Sequence, residues 1–214
     1  MMHLMYKISC ILIFFLIPEY LNGLEGPVIH IIRHAEVDAE SPGWCSSGQA
    51  FKFRMIYNNA DIREFDPGPV LKKIDDPEKV DTVFCSPQKR ALQTALALFD
   101  DNAILSINDN LRELQYPVIK WPVIRMPARA WLTASLIFWM AGNNTDSLPG
   151  YQQRKQNLEK YSSELIAYAE RNGEAIVVAH GVINRELIRI LEKKGWNHYQ
   201  KEGYGNLSVN SLKR

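Results

Sequence analysis

Short apolar runs alternate along the chain with longer stretches in which apolar and polar residues recur at helical spacing. The runs at residues 28–32, 80–84, 103–107 and 175–179 are apolar or β-branched and end at polar residues. Each has the length and composition of a buried strand. The pattern therefore predicts at least four strands, with a helical segment following most of them.

Helices are predicted over residues 46–57, 90–99, 151–171 and 182–194. Ser46 or Ser47 is available as the N-cap of the first helix, and Pro87 is placed in the first turn of the second. Gly173 follows the third helix as a C-terminal signal. A last strand over residues 207–212 is predicted to close the sheet as its edge. Alternating strands and helices predict an α/β sandwich around a mostly parallel sheet.

Residues 1–24 differ from the rest of the chain. Lys7 precedes about ten apolar residues that end at Pro18, which is the pattern of a secretory signal peptide. The run is shorter than the roughly 20 residues of a relaxed membrane span. We therefore expect export, to the outside of the cell or the periplasm, with an uncertain cleavage site. The alternatives are an uncleaved N-terminal anchor and a buried strand.

The composition and net charge of the chain limit the kinds of molecule that it is expected to bind. The chain has 214 residues, 46% of them hydrophobic, and a formal net charge of +1. Residues 25–214 are enough for one globular domain with a buried core, and no linker or repeat divides them. A nearly balanced charge argues against nucleic-acid binding, which depends on a basic surface. Any anion bound by this protein is expected to be held by a few placed cations.

Arginine and histidine residues follow three of the predicted strands. Arg33 and His34 come directly after the first strand. Arg90 lies in the segment that follows the second strand, and His180 directly follows the strand at residues 175–179. In open α/β sheets, ligands bind outside the carboxyl ends of the strands. Guanidinium groups form paired hydrogen bonds with phosphate oxygens, and an imidazole can attack phosphorus. The pattern predicts a phosphate-ester site.

These segments resemble the signature motifs of a known family. Residues 33–36 (Arg-His-Ala-Glu) resemble the Arg-His-Gly signature of the histidine phosphatase superfamily, in its phosphoglycerate-mutase-like branch. Residues 85–95 resemble its Ser-Pro-x-x-Arg-x-x-x-Thr-Ala segment, and residues 177–182 resemble its second histidine motif. Order, spacing and strand context agree over about residues 27–212. The resemblance implies a three-layer, phosphoglycerate-mutase-like α/β sandwich.

The resemblance also assigns roles. It implies that His34 is the nucleophile that becomes phosphorylated, and that Arg33, Arg90 and His180 hold the phosphate oxygens. Glu113 is our choice for the acid that protonates the leaving oxygen, and afterwards for the base. Ala35 replaces the usual glycine of the first motif, and Glu113 lacks the glycine that often follows the family's acid. No metal and no cofactor are expected.

A nearly apolar segment, residues 121–141, falls where the family inserts lid segments, within an insertion expected around residues 115–150. One interpretation is a helix buried against the core. The other is an apolar lid that faces a lipid-like phosphate ester or makes peripheral contact with a membrane. In that case Arg125 and Arg129 would lie near an anionic head group.

Several residues have competing interpretations. His30 and His34 are four residues apart, but a strand separates such a pair, so we expect His30 to be a packed residue and not a metal ligand. Cys45 and Cys85 are the candidates for one disulfide in an exported chain. Glu36 either contacts substrate or faces solvent.

The sequence favours a secreted, metal-independent phosphomonoesterase that acts through a phosphohistidine. Its substrate would be a phosphorylated small molecule or a lipid-like phosphate ester. One alternative is a phosphotransferase or mutase with the same intermediate, and the other is a catalytically silent protein that binds phosphate esters. The sequence does not predict the oligomeric state.

Overall fold

The computed structural model describes residues 26–100, 103–143 and 148–214. The predicted signal peptide at residues 1–24 lies outside these residues. In the described part of the chain, no helix combines the length and the apolar character needed to cross a membrane.

Within the described residues, six strands form the central sheet and two short strands form a separate ribbon. The central strands are β1 (Val28–Arg33), β3 (Thr82–Cys85), β4 (Ile104–Ile107), β6 (Glu174–Ala179), β7 (Asn197–Gln200) and β8 (Val209–Lys213). The ribbon pairs β2 (Trp44–Cys45) with β5 (Met126–Pro127). The helices are α1 (Ser47–Asn59), α2 (Gly68–Leu71), α3 (Lys89–Phe99), α4 (Ala128–Met140), α5 (Tyr151–Asn172) and α6 (Gly181–Lys193).

The sheet is mostly parallel, as predicted. Its strand order is β4-β3-β6-β1-β8-β7; the first four strands are parallel, and β8 and β7 are antiparallel to their neighbours. The prediction that residues 207–212 form an edge strand is wrong, because β8 lies between β1 and β7. The outer strand β7 has the sequence Asn-His-Tyr-Gln, which lacks an apolar pattern, and so it was not predicted.

Helices cover both faces of the sheet, which confirms the three-layer sandwich. Ile29 and Ile31 of β1 point into a core shared with residues such as Leu165 of α5 and Leu187 of α6. Ile32 points to the opposite face, into a core shared with α3. The alternation follows from the two-residue period of a strand whose two faces are both buried.

Local sequence determines where the helices begin and end. Ser46, one of the two predicted candidates, caps α1. It also forms a reciprocal capping box with Gln49, which was not predicted. Gly173 follows α5 with φ of 87°, a conformation that glycine adopts without strain. Pro87 was predicted to lie in the first turn of α3, and this is wrong: α3 begins at Lys89 after the N-cap Gln88, so Pro87 precedes the helix.

The apolar segment at residues 121–141 contains α4, and α4 packs against the core. Trp131 and Trp139 are buried, and the Trp139 ring contacts the rings of Tyr116 and Tyr151. The interpretation as a buried helix is therefore confirmed for these residues. Trp121 and Val123, which precede α4, are exposed. Whether this part contacts a membrane stays a prediction.

Cys45 and Cys85 are both buried and unpaired, so the suggested disulfide between them is absent. The two residues belong to separate packed clusters. Cys45 packs near Ala50 and Trp131, whereas Cys85 lies in the core under α3.

Candidate active site

Three neighbouring parallel strands end side by side at one edge of the sheet. Because the order is β3-β6-β1, the residues that follow these strands meet in space. They are Ser86 after β3, His180 after β6, and Arg33 with His34 at the end of β1. Arg90 joins them from the first turn of α3. The sheet thus brings together all four residues that the sequence singled out for phosphate binding and attack.

His34 has a defined tautomer. Its ring is buried, and Nδ1 lies 2.7 Å from the carbonyl oxygen of Ala35. A carbonyl oxygen only accepts hydrogen bonds, so Nδ1 carries the proton and Nε2 holds the lone pair. Burial, followed by the nearby charge of Arg90, lowers the pKa of His34 to about 3. At neutral pH, Nε2 is therefore an uncharged nitrogen with a lone pair, as a nucleophile requires.

The loop that carries His34 is tied down by side chains from distant parts of the chain. The Thr94 hydroxyl accepts a hydrogen bond from the amide of Ala35 at 2.9 Å and donates to the carbonyl of Arg90 at 2.6 Å. Asn206 donates from Nδ2 to the carbonyl oxygens of His34, at 2.9 Å, and Ala35, at 3.1 Å. These bonds link the backbones at His34 and Arg90 to one another and to the segment that carries Asn206.

Arg90 lies next to His34. Its Nε donates to His34 Nε2 at 3.2 Å, and its Nη1 donates to Asn58 Oδ1 at 3.2 Å. The Arg90 guanidinium also lies 5.2 Å from the centre of the Tyr57 ring, within cation–π distance. Burial lowers the pKa of Arg90, but an arginine stays charged in proteins.

Arg33 reaches the same site from the end of β1. Its Nη1 donates to the carbonyl oxygen of Tyr204. A Cβ placed on Gly181 would lie 3.4 Å from the Arg33 guanidinium carbon. Gly181, the first residue of α6, therefore lets the arginine pack directly against the start of that helix.

Glu113 supplies a carboxyl group to the site. Its Oε1 accepts from the amide of Leu114 at 3.1 Å, and its Oε2 accepts from the amide of Val182, in the first turn of α6, at 3.5 Å. Gln88 holds the backbone of Glu113 by accepting from its amide at 2.8 Å. Burial raises the pKa of Glu113, although the Leu114 amide and Arg90 oppose the shift. The protonated form is thus more populated than in an ordinary glutamate.

His180 lies behind His34, with 5.1 Å between the ring centres. Its residue is fully buried, Nε2 is 2.7 Å from Ser86 Oγ, and Nδ1 is buried without a hydrogen-bond partner. Burial, followed by the charge of Arg90, lowers the pKa of His180. Its predicted contact with the phosphate oxygens stays a prediction.

A cavity of about 450 Å³ opens in front of these groups, a volume typical of a small-molecule site. Arg33, His34, Arg90 and Glu113 all line it, and His180 does not. The remaining wall includes several larger side chains, namely Arg54, Met55, Tyr57, Tyr116, Leu132 and Leu148. We call this space the phosphate pocket.

Arg54 is a pocket residue that sequence reasoning missed. Its Nη1 donates to the carbonyl oxygen of Tyr116 at 2.6 Å, and its guanidinium lies 5.0 Å from the centre of the Tyr116 ring. On α1, Arg54 is four residues before Asn58, which binds Arg90. Residues four apart share a helix face, so the spacing carried a usable signal once α1 was placed at the pocket.

Other candidates lie elsewhere. Glu36 is exposed and pairs with Arg63 at 3.1 Å, so it faces solvent. His30 Nδ1 lies 2.8 Å from Ser211 Oγ inside the sheet, as expected for a packed strand residue. Arg125 and Arg129 are exposed and outside the phosphate pocket. The described residues contain no group of three or more histidine, cysteine or acidic side chains arranged for a metal ion.

Comparison with known proteins agrees with this geometry. The family model of the histidine phosphatase superfamily (branch 1) matches residues 70–214, which include Arg90, Glu113 and His180. No curated protein sequence matches the chain significantly.

Solved structures share the fold. Mycobacterial hydrolase 1 has a TM-score of 0.56 at 16% identity, over 87% of this chain and 89% of its own. Mycobacterial glucosyl-3-phosphoglycerate phosphatase has a TM-score of 0.54 at 16% identity, over 86% and 89%. A phosphoserine phosphatase variant from Entamoeba histolytica has a TM-score of 0.51 at 15% identity, over 86% and 89%.

Proposed function

Because the chain belongs to the histidine phosphatase superfamily, branch 1, we propose that it is an exported, metal-independent phosphomonoesterase that works through a phosphohistidine on His34. The observation that carries this proposal is the state of His34. Its Nε2 is uncharged and faces the guanidinium of Arg90 at 3.2 Å, in a pocket that also contains Arg33 and Glu113. A phosphate group bound between the arginines would meet a nucleophile that needs no prior deprotonation.

In the first step, the lone pair of His34 Nε2 forms a bond to phosphorus while the ester P–O bond breaks. Arg33 and Arg90 stabilise the charge on the non-bridging oxygens, and such preorganised charge accounts for most of the catalysis in phosphoryl transfer. The ring becomes cationic when it is phosphorylated. The hydrogen bond from Nδ1 to the Ala35 carbonyl then stabilises the phosphorylated ring.

Glu113 is the general acid of the first step and the general base of the second. Its pKa is raised by burial, so the carboxylic acid is available to protonate the departing alkoxide. After the alcohol leaves, the Glu113 carboxylate takes a proton from water, and the water oxygen attacks phosphorus. The P–N bond breaks, inorganic phosphate leaves, and both His34 and Glu113 return to their starting protonation states.

Independence from metal ions is part of the proposal and rests on charge. Two guanidinium groups already neutralise the phosphate, and the nucleophile is a side chain and not a metal-activated water. Hydrolysis as the outcome is in keeping with the structural neighbours, two of which are phosphatases of monoesters. At 15–16% identity their own substrates do not identify the substrate of this chain.

The test is turnover of p-nitrophenyl phosphate in the presence of EDTA. We expect activity in the native protein and a loss of at least about 10³-fold in His34→Ala. His198→Ala is the matched control, since His198 lies on β7, away from the phosphate pocket. Acid-labile radioactive phosphate on the protein, absent from His34→Ala, would identify the intermediate. Equal rates in the native protein and His34→Ala would refute the mechanism.

The alternatives give different results in the same assays. A phosphotransferase would form a new phosphate ester when an acceptor alcohol is added, whereas the hydrolase releases only free phosphate. A silent binding protein would bind phosphate esters with no turnover.

The exported location depends on residues 1–24 alone, which follow the signal-peptide pattern. We expect the mature protein, purified from its natural source, to begin after this segment. Sequencing of its N-terminus would test this, and a mature chain that retains residues 1–24 would favour the anchor.

A further inference from the structure

A second cavity lies beside the phosphate pocket and is far less polar. Its volume is about 670 Å³, and it is lined by Ser47, Gly48 and Phe51 of α1 and by Pro117, Val118, Lys120 and Pro122. We call it the apolar groove. Phe51 is 46% exposed, although a phenylalanine at a helix surface usually finds cover. The groove therefore offers an uncovered apolar surface to a ligand.

The apolar groove and the phosphate pocket share their dividing wall. Phe51 lines the groove and Met55 lines the pocket, and the two lie one turn apart on the same face of α1. On the opposite side, Tyr116 lines the pocket and the next residue, Pro117, lines the groove. The two spaces therefore lie side by side, separated where Arg54 of α1 donates to the carbonyl oxygen of Tyr116.

Arg54 lies at the boundary between the two spaces. Its guanidinium carbon is 5.9 Å from the centre of the Phe51 ring and 5.0 Å from the centre of the Tyr116 ring. Part of the lining of the phosphate pocket is also apolar, because Met55, Leu132 and Leu148 contribute to it. Both spaces thus have apolar side chains in their walls, and the Arg54 cation lies between them.

We propose that the apolar groove binds the hydrocarbon chain of an amphiphilic phosphate monoester whose phosphate lies against His34. This substrate class rests on the proposed phosphatase function. A hydrocarbon chain is the occupant that suits the observations: the groove adjoins the anion site, and apart from Ser47 and Lys120 its lining residues are apolar or glycine. The chain would reach the groove by passing over the contact between Arg54 and Tyr116. Arg54, at the junction, suits a second anionic or ester oxygen near the phosphate.

The test compares monobutyl phosphate with monooctyl phosphate, both below their micelle concentrations. Each fully buried methylene contributes about fourfold in affinity, so partial burial of the four added methylenes predicts about a tenfold higher kcat/KM for the octyl ester. Because chain binding is the same in the ground state and the transition state, the difference should appear in KM.

Variants separate the groove from general hydrophobicity. Gly48→Leu fills the groove, because a Cβ at Gly48 meets only the Ser46 hydroxyl, at 4.0 Å. Phe51→Ala removes one wall. Phe138→Ala is the matched control, since Phe138 is also a half-exposed helical phenylalanine, 50% exposed, and lines neither cavity. We expect the octyl-to-butyl ratio to fall towards one in Gly48→Leu and Phe51→Ala and to persist in Phe138→Ala.

The two proposals fail in different ways. Absence of turnover for every ester would refute the phosphatase itself. Turnover of both esters with an octyl-to-butyl ratio near one in the native protein would overturn the apolar groove and leave the phosphatase standing. A ratio that survives in both groove variants as it does in Phe138→Ala would also overturn it.

Discussion

Replacing Glu113 by glutamine removes the proposed proton donor while keeping its shape. The glutamine oxygen can still accept from one of the two amides, those of Leu114 and Val182, that hold the carboxylate. One amide loses its acceptor, so the free energy of unfolding should fall by about 1–3 kcal/mol, which a domain stable by about 5–15 kcal/mol tolerates. The variant should therefore fold, and its kinetics should report on proton transfer.

The size of the kinetic effect depends on the leaving group. An alkoxide leaves poorly without a proton, and general acid catalysis contributes roughly 10²–10⁴-fold, so butyl phosphate turnover should fall by that amount in Glu113→Gln. p-Nitrophenolate is a stable anion that needs little assistance. For p-nitrophenyl phosphate, kcat/KM covers only the steps up to release of the phenolate and should fall by less than about tenfold, because the attack by His34 remains intact. The later attack of water, in which Glu113 is the proposed base, should lower kcat for both esters.

The pH dependence of activity is a second test of the role of Glu113. Burial raises the pKa of Glu113, and the protonated carboxyl is the active form in the first step. Activity of the native protein towards butyl phosphate should therefore decline as the pH rises through the pKa of Glu113. In Glu113→Gln this decline should disappear, since no proton remains to be lost at that position.

Steady-state kinetics on both esters over a range of pH would measure these effects. Glu36→Gln is the matched control, because Glu36 is another carboxylate near the first motif but pairs with Arg63 outside the phosphate pocket. Its rates should match those of the native protein. Equal losses of kcat/KM on butyl and p-nitrophenyl phosphate in Glu113→Gln would refute the assignment of Glu113 as the acid.

Two further predictions concern the hydrogen bond from the Ala35 amide to Thr94 and the uncharged state of His34. Thr94→Val leaves the buried Ala35 amide without its acceptor, so urea unfolding should show a loss of about 1–3 kcal/mol and kcat/KM should fall; unchanged stability would contradict the role given to Thr94. The pKa of His34 is lowered to about 3, below its unfolded value, so the unfolded chain binds the extra proton and stability is lost as pH falls from about 6.5. The slope of unfolding free energy against pH should be about 1.4 kcal/mol per unit smaller in His34→Gln between pH 6 and 4, and equal slopes would count against a buried neutral His34.

Sequence reasoning located the catalytic strands because their signal is local. The strands β1, β3 and β6 are short apolar runs, and the polar residues at their ends stand out against them. Parallel pairing then brings those ends to one edge, as general rules for α/β sheets require. The same local signal failed for β7, whose four polar or half-buried residues are in a strand only because β8 provides a partner.

The residues that complete the pocket depend on packing between distant segments, which the sequence pattern does not report. Arg54 reaches the pocket because α1 packs beside α4, and Tyr116 meets it from a loop 62 positions along the chain. Asn206 holds the His34 loop from 172 positions away. In the sequence these residues look like ordinary polar residues of a helix and two loops. Only the tertiary arrangement gives them a place in the site.

The position of His180 follows from strand order. Since β6 lies between β3 and β1, the residue after its end is enclosed by Ser86 on one side and His34 on the other. This enclosure explains why His180 is fully buried and uncharged, whereas His34, on the neighbouring strand, lines the phosphate pocket. The strand β6 places His180 behind His34, and the neighbouring strand β1 places His34 at the phosphate pocket. The different placement of the two histidines is thus a consequence of topology, and under the proposed mechanism it leaves His34 as the ring that meets phosphorus.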